Sequence, residues 1–129
     1  MTMPAGNYWI GDLCYALSDE DWAEVCELTI SPEGDCLEGE FEFKDGRRFA
    51  MYSTAYGDGI YKDQNGFEYP VDSGTLGCIL LKDSFDPAVA DSESGRVVNF
   101  DSDFETESTG RFVIIGNVRI DTDVPDEDY

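Results

Sequence analysis

Seven carboxylates in two alternating runs are the most regular chemistry in this chain. In FDSDFETES, residues 100–108, an acid stands at every second position: Asp101, Asp103, Glu105 and Glu107. Glu38, Glu40 and Glu42 repeat the pattern in LEGEFEF. On an extended chain such acids share a face about 6.7 Å apart, since each residue rises roughly 3.3 Å. In water each adjacent pair repels by about 0.6 kcal/mol before salt screens it. Such a row costs little, and two readings fit it. One is a solvated strand face whose charge resists aggregation. The other is an imitation of a nucleic-acid strand, which carries one charge per ~3.4 Å of rise.

A second candidate lies in GDGIYKDQNGFEYPVDSG. Its hairpin register brings Asp58 opposite Asp72, bounded by Gly57, Gly59, Ser73 and Gly74. Like charges directly opposite on a sheet are destabilising, so the pair asks for a reason. It could bind a cation, share a proton, or hold a basic or hydroxylated ligand. As turn residues the two aspartates would instead accept backbone N–H bonds. The segment does not fit an EF-hand, and the identity of any metal stays open.

Other chemistry is missing. The chain has no His, no P-loop and no GxSxG, and Cys14, Cys26, Cys36 and Cys78 form no CxxC pair. The cysteines read as small buried hydrophobes of a reducing compartment. The expectation is a protein that is not an enzyme and needs no cofactor.

Charge narrows the partners. The 29 Asp and Glu against 8 Lys and Arg give a formal net charge of -21, which disfavours direct binding to nucleic acid or an anionic membrane. Disorder is the simplest fate of an acidic chain, yet 41% hydrophobic and 13% aromatic residues argue for a packed core. MTMPAGNYWIGD has neither a basic n-region nor an apolar h-region, and no run approaches the roughly 20 apolar residues of a membrane span. The expected setting is cytoplasmic. At 129 residues the chain suits one domain, read as 1–123, with 124–129 an acidic, frayed tail.

The elements that must position these acids follow from pattern. Tyr8-Trp9-Ile10 reads as an opening strand. LSDEDWAEVCEL predicts one helix over about 18–28, with Ser18 as N-cap, Asp19, Glu20 and Asp21 at the positive end of the dipole, and Trp22, Val25, Cys26 and Leu28 on the apolar face. LEGEFEFKDGRRFAMYST predicts a hairpin with loop Lys44-Asp45-Gly46, which sorts Phe41, Phe43, Phe49 and Met51 onto one face and Glu38, Glu40, Glu42 and Arg48 onto the other. In the second hairpin, loop Gln64-Asn65-Gly66 sets Lys62 against Glu68 and Tyr61 against Tyr69. DSFDPAVADSESG reads as a loop or weak helical turn, and GRVVNFDSDFE and GRFVIIGNVRID as two further β segments. The fold class is α+β or mainly β: an antiparallel sheet built from hairpins with one short helix packed on it.

Two stretches, NYWIGDLCY and RRFAMYSTAYGDGIYKDQNGFEYPVDSGTLGCI, resemble a group of small proteins met in bacteriophage and bacterial genomes, over roughly residues 7 to 80. The resemblance carries over no activity and no catalytic residue. It implies a shared site around Asp12, Tyr56, Asp58 and Asp72. A phage-like setting also suggests, by size and charge, the DNA-mimic inhibitors of host defence and repair proteins.

The leading expectation is thus an acidic interaction protein whose carboxylates at 38, 40, 42, 101, 103, 105 and 107 occupy the basic surface of a nucleic-acid-binding protein. The alternatives are a small-ligand or cation-binding domain centred on Asp58 and Asp72, and a halophile-adapted or virion structural protein whose charge answers to its surroundings.

Overall fold

Gly46 and Gly66, at φ +98° and +82°, take the left-handed conformation that each hairpin loop requires of its third residue. The structure is a computed structural model describing residues 2–35, 37–84, 89 and 93–123. Cys36, the acidic tail and most of the segment 85–92 lie outside the described residues. In the first hairpin, β3 (Gly39–Glu42) pairs with β4 (Arg48–Ser53) so that Phe41 faces Phe49 and Glu42 faces Arg48. The Phe43 N–H reaches Arg47 O at 2.7 Å, and the Gly46 N–H closes on Phe43 O at 2.9 Å. In the second, β5 (Gly59–Asp63) pairs with β6 (Glu68–Val71), Tyr61 facing Tyr69 and Lys62 facing Glu68. Both registers are those the sequence predicts.

Before these hairpins come β1 (Thr2–Met3), β2 (Gly6–Gly11), a 3-10 turn (Leu13–Tyr15) and α1 (Asp19–Thr29). After them come β7 (Thr75–Leu80), a second 3-10 turn (Leu81–Asp83), β8 (Gly95–Phe100), β9 (Phe104–Ser108), β10 (Phe112–Ile115) and β11 (Val118–Asp121). The strands form two sheets, ordered β3-β4-β7-β2-β8 and β1-β9-β10-β11-β5-β6. Every strand pair is antiparallel.

The sheets face each other across a core that includes Tyr8, Ile10, Ala50, Tyr52, Leu76 and Cys78 from one side and Tyr61, Tyr69, Val113, Ile115, Val118 and Ile120 from the other. The intervening residues of the five-stranded sheet, Trp9, Phe49, Met51 and Ile79, point the opposite way and pack with Leu13, Leu17 and Val25 under α1. Strands alternate faces, so a sheet covered on both sides needs apolar residues at every position. RFAMYS and TLGCIL supply such runs.

The helix begins where predicted, with Ser18 Oγ accepting the Asp21 N–H at 3.1 Å. Arg47, at the first hairpin's tip, donates to both Asp21 oxygens at 2.9 Å and to Asp45, pinning the hairpin to the start of α1. Glu24 Oε2 accepts the Lys44 N–H at 2.7 Å and ties the same two elements.

Three expectations need correction. The hairpin face carrying Glu38, Glu40 and Glu42 is not open to water throughout: Ala50 and Tyr52 on that face are buried, because the second sheet covers it. GRVVNFDSDFE is not one strand; β8 ends at Phe100, Asp101–Asp103 form a bend, and β9 joins the other sheet. GRFVIIGNVRID is a hairpin, folding at Gly116-Asn117 so that Ile115 pairs with Val118. The Gly-Asn dipeptide between apolar runs is the signal for that turn.

Two glycines separate backbone strain from crowding. A Cβ at Gly46 would meet nothing within 4 Å, so Gly46→Ala should cost only the left-handed penalty of about 1–2 kcal/mol. A Cβ at Gly77 would overlap the Ala50 carbonyl of the neighbouring strand, so Gly77→Ala should cost considerably more or abolish folding. Urea unfolding of the two variants checks the order; equal losses would contradict the close packing of β4 on β7.

Candidate functional site

The bend at Asp101–Asp103 exists because Phe100 and Phe104 both turn inward. Their rings stack at a centroid distance of 3.8 Å, with Tyr8 edge-on to each. The chain therefore crosses from one sheet to the other between two buried aromatics, and the acids are left outside. Asp101, Asp103, Glu105 and Glu107 are all exposed, but only Glu105 and Glu107 lie on a strand. Asp103 Oδ1 accepts the Ala5 N–H at 3.1 Å. Asp103, Glu105 and Glu107 still line one shallow depression, with Thr2, Ile114 and Gly116.

Glu38, Glu40 and Glu42 have three different fates. Glu40 is drawn inside, its side chain only 4% exposed, and pairs with Arg48 at 2.9 Å. The same guanidinium donates to Thr2 O at 2.8 Å, joining β4 to β1. Glu38 Oε2 accepts the Ser53 N–H at 3.1 Å, where the β3–β4 ladder ends. Glu42 is exposed. The strands bearing the two runs do meet, since β3 and β9 approach each other along one edge of the sandwich. The structure thus brings the strand of Glu105 and Glu107 near that of Glu38, Glu40 and Glu42, with Glu40 internally neutralised.

The second candidate site separates into a brace and two surface residues. Asp12 is fully buried. Its Oδ2 accepts the Asp72 and Ser73 N–H groups at 2.7 and 2.8 Å, and its Oδ1 accepts the Ser73 hydroxyl at 2.8 Å and the Cys14 N–H at 3.1 Å. Both oxygens are engaged by the chain itself, so Asp12 fixes the β6–β7 turn against the end of β2. Asp58 and Asp72 sit just past the last β5–β6 pair, Gly59 with Val71, and both are exposed. Tyr56 is 63% exposed. Burial, with Asp72 nearby, raises the Tyr15 phenol above its ordinary value. Burial and the hydrogen-bonded Asp12 push the Cys14 thiol up to about 12, leaving it an inert thiol. Among the described residues, no three His, Cys, Asp or Glu side chains are grouped to hold a metal ion.

Sequence reasoning missed Asp63, whose side chain is fully buried. Oδ1 accepts the Asn65 and Phe67 N–H groups at 2.9 and 3.1 Å, closing the hairpin loop. Oδ2 accepts the Tyr69 hydroxyl and Arg96 Nη1, both at 2.7 Å. Arg96 belongs to β8, so this ion pair joins the two sheets. Burial works to raise the Asp63 pKa, but the bonds from Tyr69, the two amides and Arg96 outweigh it and hold the carboxyl below its usual value. An Asp opening a three-residue loop was a visible signal for the two amide bonds; the Arg96 partner, 33 residues away, was not.

The charge that remains outside is strongly one-sided. Among the described residues, Arg47 pairs with Asp21 and Asp45, Arg48 with Glu40, Arg96 with Asp63 and Arg111 with Asp121. Arg111 and Arg119 also lie over the Phe112 ring. Fold and site together define a small, strongly acidic, antiparallel β-sandwich with α1 on the outer face of its five-stranded sheet. No family model, curated protein or solved structure matches the chain. Among the described residues no helix is long and apolar enough to cross a membrane.

Asp63→Asn should cost about 3 kcal/mol, since it leaves Arg96 facing a neutral partner. Because the folded pKa is depressed, the carboxylate's stabilisation is fully present above the unfolded value near ~3.9 and is lost as pH falls through the folded pKa. The stability gap between wild type and Asp63→Asn, measured by urea unfolding, should be constant above about pH 5 and shrink below about pH 4. A gap unchanged at pH 3 would show that the pairing does not hold the carboxyl ionised.

Proposed function

We propose that this protein is an acidic interaction module that occupies the basic surface of a nucleic-acid-handling protein and so competes with nucleic acid for it. The observation that carries the reading is the distribution of charge. A formal net charge of -21 sits on a folded sandwich whose arginines are largely consumed within it, leaving Glu42 of β3, Asp101 and Asp103 of the bend before β9, and Glu105 and Glu107 of β9 exposed. A rigid surface of that sign steers a basic partner from a distance and repels nucleic acid itself. The carboxylates stand in for phosphates, so no turnover and no cofactor are required. The setting that suits such a module is a host cytoplasm, with the protein encoded by a phage as an inhibitor of host defence or repair.

The reading is tested by affinity capture from host lysate, comparing wild type with a variant carrying Asp101→Asn, Asp103→Asn, Glu105→Gln and Glu107→Gln. The expected result is a basic nucleic-acid enzyme held by wild type, displaced by added DNA and released by the variant. Its affinity should fall steeply with salt, because several screened charges act together. A captured partner whose affinity is indifferent to salt, or that the variant retains in full, would remove the charge-mimic reading.

A further inference from the structure

Beside Glu38, on the helix side of the five-stranded sheet, the surface opens into an apolar groove. Trp22, Val25 and Cys26 of α1 form one wall, Met51 lies on the floor, and Ile30 and Leu37 stand at the rim; the volume of this open groove is about 130 Å³. Ile30 and Leu37 are 48% and 43% exposed, two of the few large hydrophobic residues that the fold leaves uncovered. An apolar cavity of about 150 Å³ takes a benzene-sized group, so this groove has room for one large aliphatic or aromatic side chain.

Its surroundings specify what kind of segment would bring that side chain. Residues 1–43 contain eleven acids and no Lys or Arg, and all of α1 and the turn after it fall in this range. Glu33 and Asp35 in the turn between Ile30 and Leu37, Glu38 at Ser53 and Asp72 next to Ser73 are exposed beside the residues that line the groove. The residues that line it include no Lys or Arg, and Arg47 and Arg48, which flank or begin β4, are paired with Asp21 and Glu40. A second copy of this chain would bring more negative charge to the same place, whereas a basic segment would meet complementary charge from the turn after α1, Glu38 and Asp72.

We infer that the groove between α1 and β4 is a docking site for a basic segment of a partner protein, which seats one large apolar side chain between Trp22, Val25 and Met51 while its Lys and Arg residues lie against the acidic rim. This rests on the acidic-module reading above and adds to it an anchor: charge supplies the encounter, and the apolar side chain supplies the residence.

The test uses two short peptides of Lys and Arg that are identical except for a central Leu in one and a central Ser in the other. Binding to the full chain is measured by fluorescence anisotropy at low salt. The Leu peptide should bind about tenfold or more tightly than the Ser peptide, the gain expected from burying one Leu side chain. It should also protect Cys26 from alkylation, read by mass spectrometry, while leaving Cys14 unchanged.

The variant Leu37→Asp, at an exposed position where folding is checked by circular dichroism, should abolish the advantage of Leu even though it makes the protein more acidic. Equal binding of both peptides to wild type, with Cys26 unprotected, would overturn the groove and leave the acidic reading standing. Binding of neither would overturn both. Self-association of wild type that Leu37→Asp abolishes, seen by sedimentation, would put a second copy in the groove and overturn the proposal.

Discussion

The central strands of the five-stranded sheet, β4, β7 and β2, are buried on both faces, and this constraint governs most of the molecule. Each residue of its central strands must fit either the core between the sheets or the layer under α1. Where Trp9 crosses the sheet there is no space for a neighbouring side chain, and Gly11 and Gly95 lie beneath its ring. Where β7 passes β4, Gly77 leaves room for the Ala50 carbonyl. Unpaired polar groups are costly in a sheet with two dry faces, and the Trp9 indole N–H bears that cost; most of the polar chemistry is pushed to strand ends, turns and the outer face of the six-stranded sheet.

The acids that do enter the interior act as connectors. Asp12 gathers the β6–β7 turn onto the end of β2, Asp63 links the second hairpin to β8, and Glu40 holds Arg48 as that side chain reaches across to β1. In each case the carboxylate is met by N–H or O–H donors, the condition under which a buried charge is tolerable. The same residue type thus does opposite work according to depth: paired within, it fastens one sheet to the other; left outside, it builds the field.

That division bears on how the surface could be used. Long-range charge attraction is sensitive to salt and tolerant of geometry, so it sets the sign of a partner and the rate of encounter. A groove of one side chain's volume is insensitive to salt and demanding in shape. The edge where β3 meets β9 offers the first, and the cleft beside α1 offers the second; Glu38 stands between them.

Local features of the chain were decided by the sequence itself. A three-residue loop ending in glycine fixes both hairpin registers, and a serine ahead of three acids fixes the start of α1, because those determinants lie within a few residues of each other. The continuous row from Asp101 to Glu107 was not decided that way. Alternation of acid and non-acid looks the same whether a strand runs on or breaks, and the break at Asp101–Asp103 comes from Phe100 and Phe104 stacking within a core assembled from distant strands. The fates of Glu40, Asp12 and Asp63 likewise depended on partners brought near only by the closing of two sheets. Composition set the sign and size of the charge; tertiary structure alone decided which carboxylates are spent inside and which face another molecule, since that choice is made by burial, and burial is a property of the whole fold.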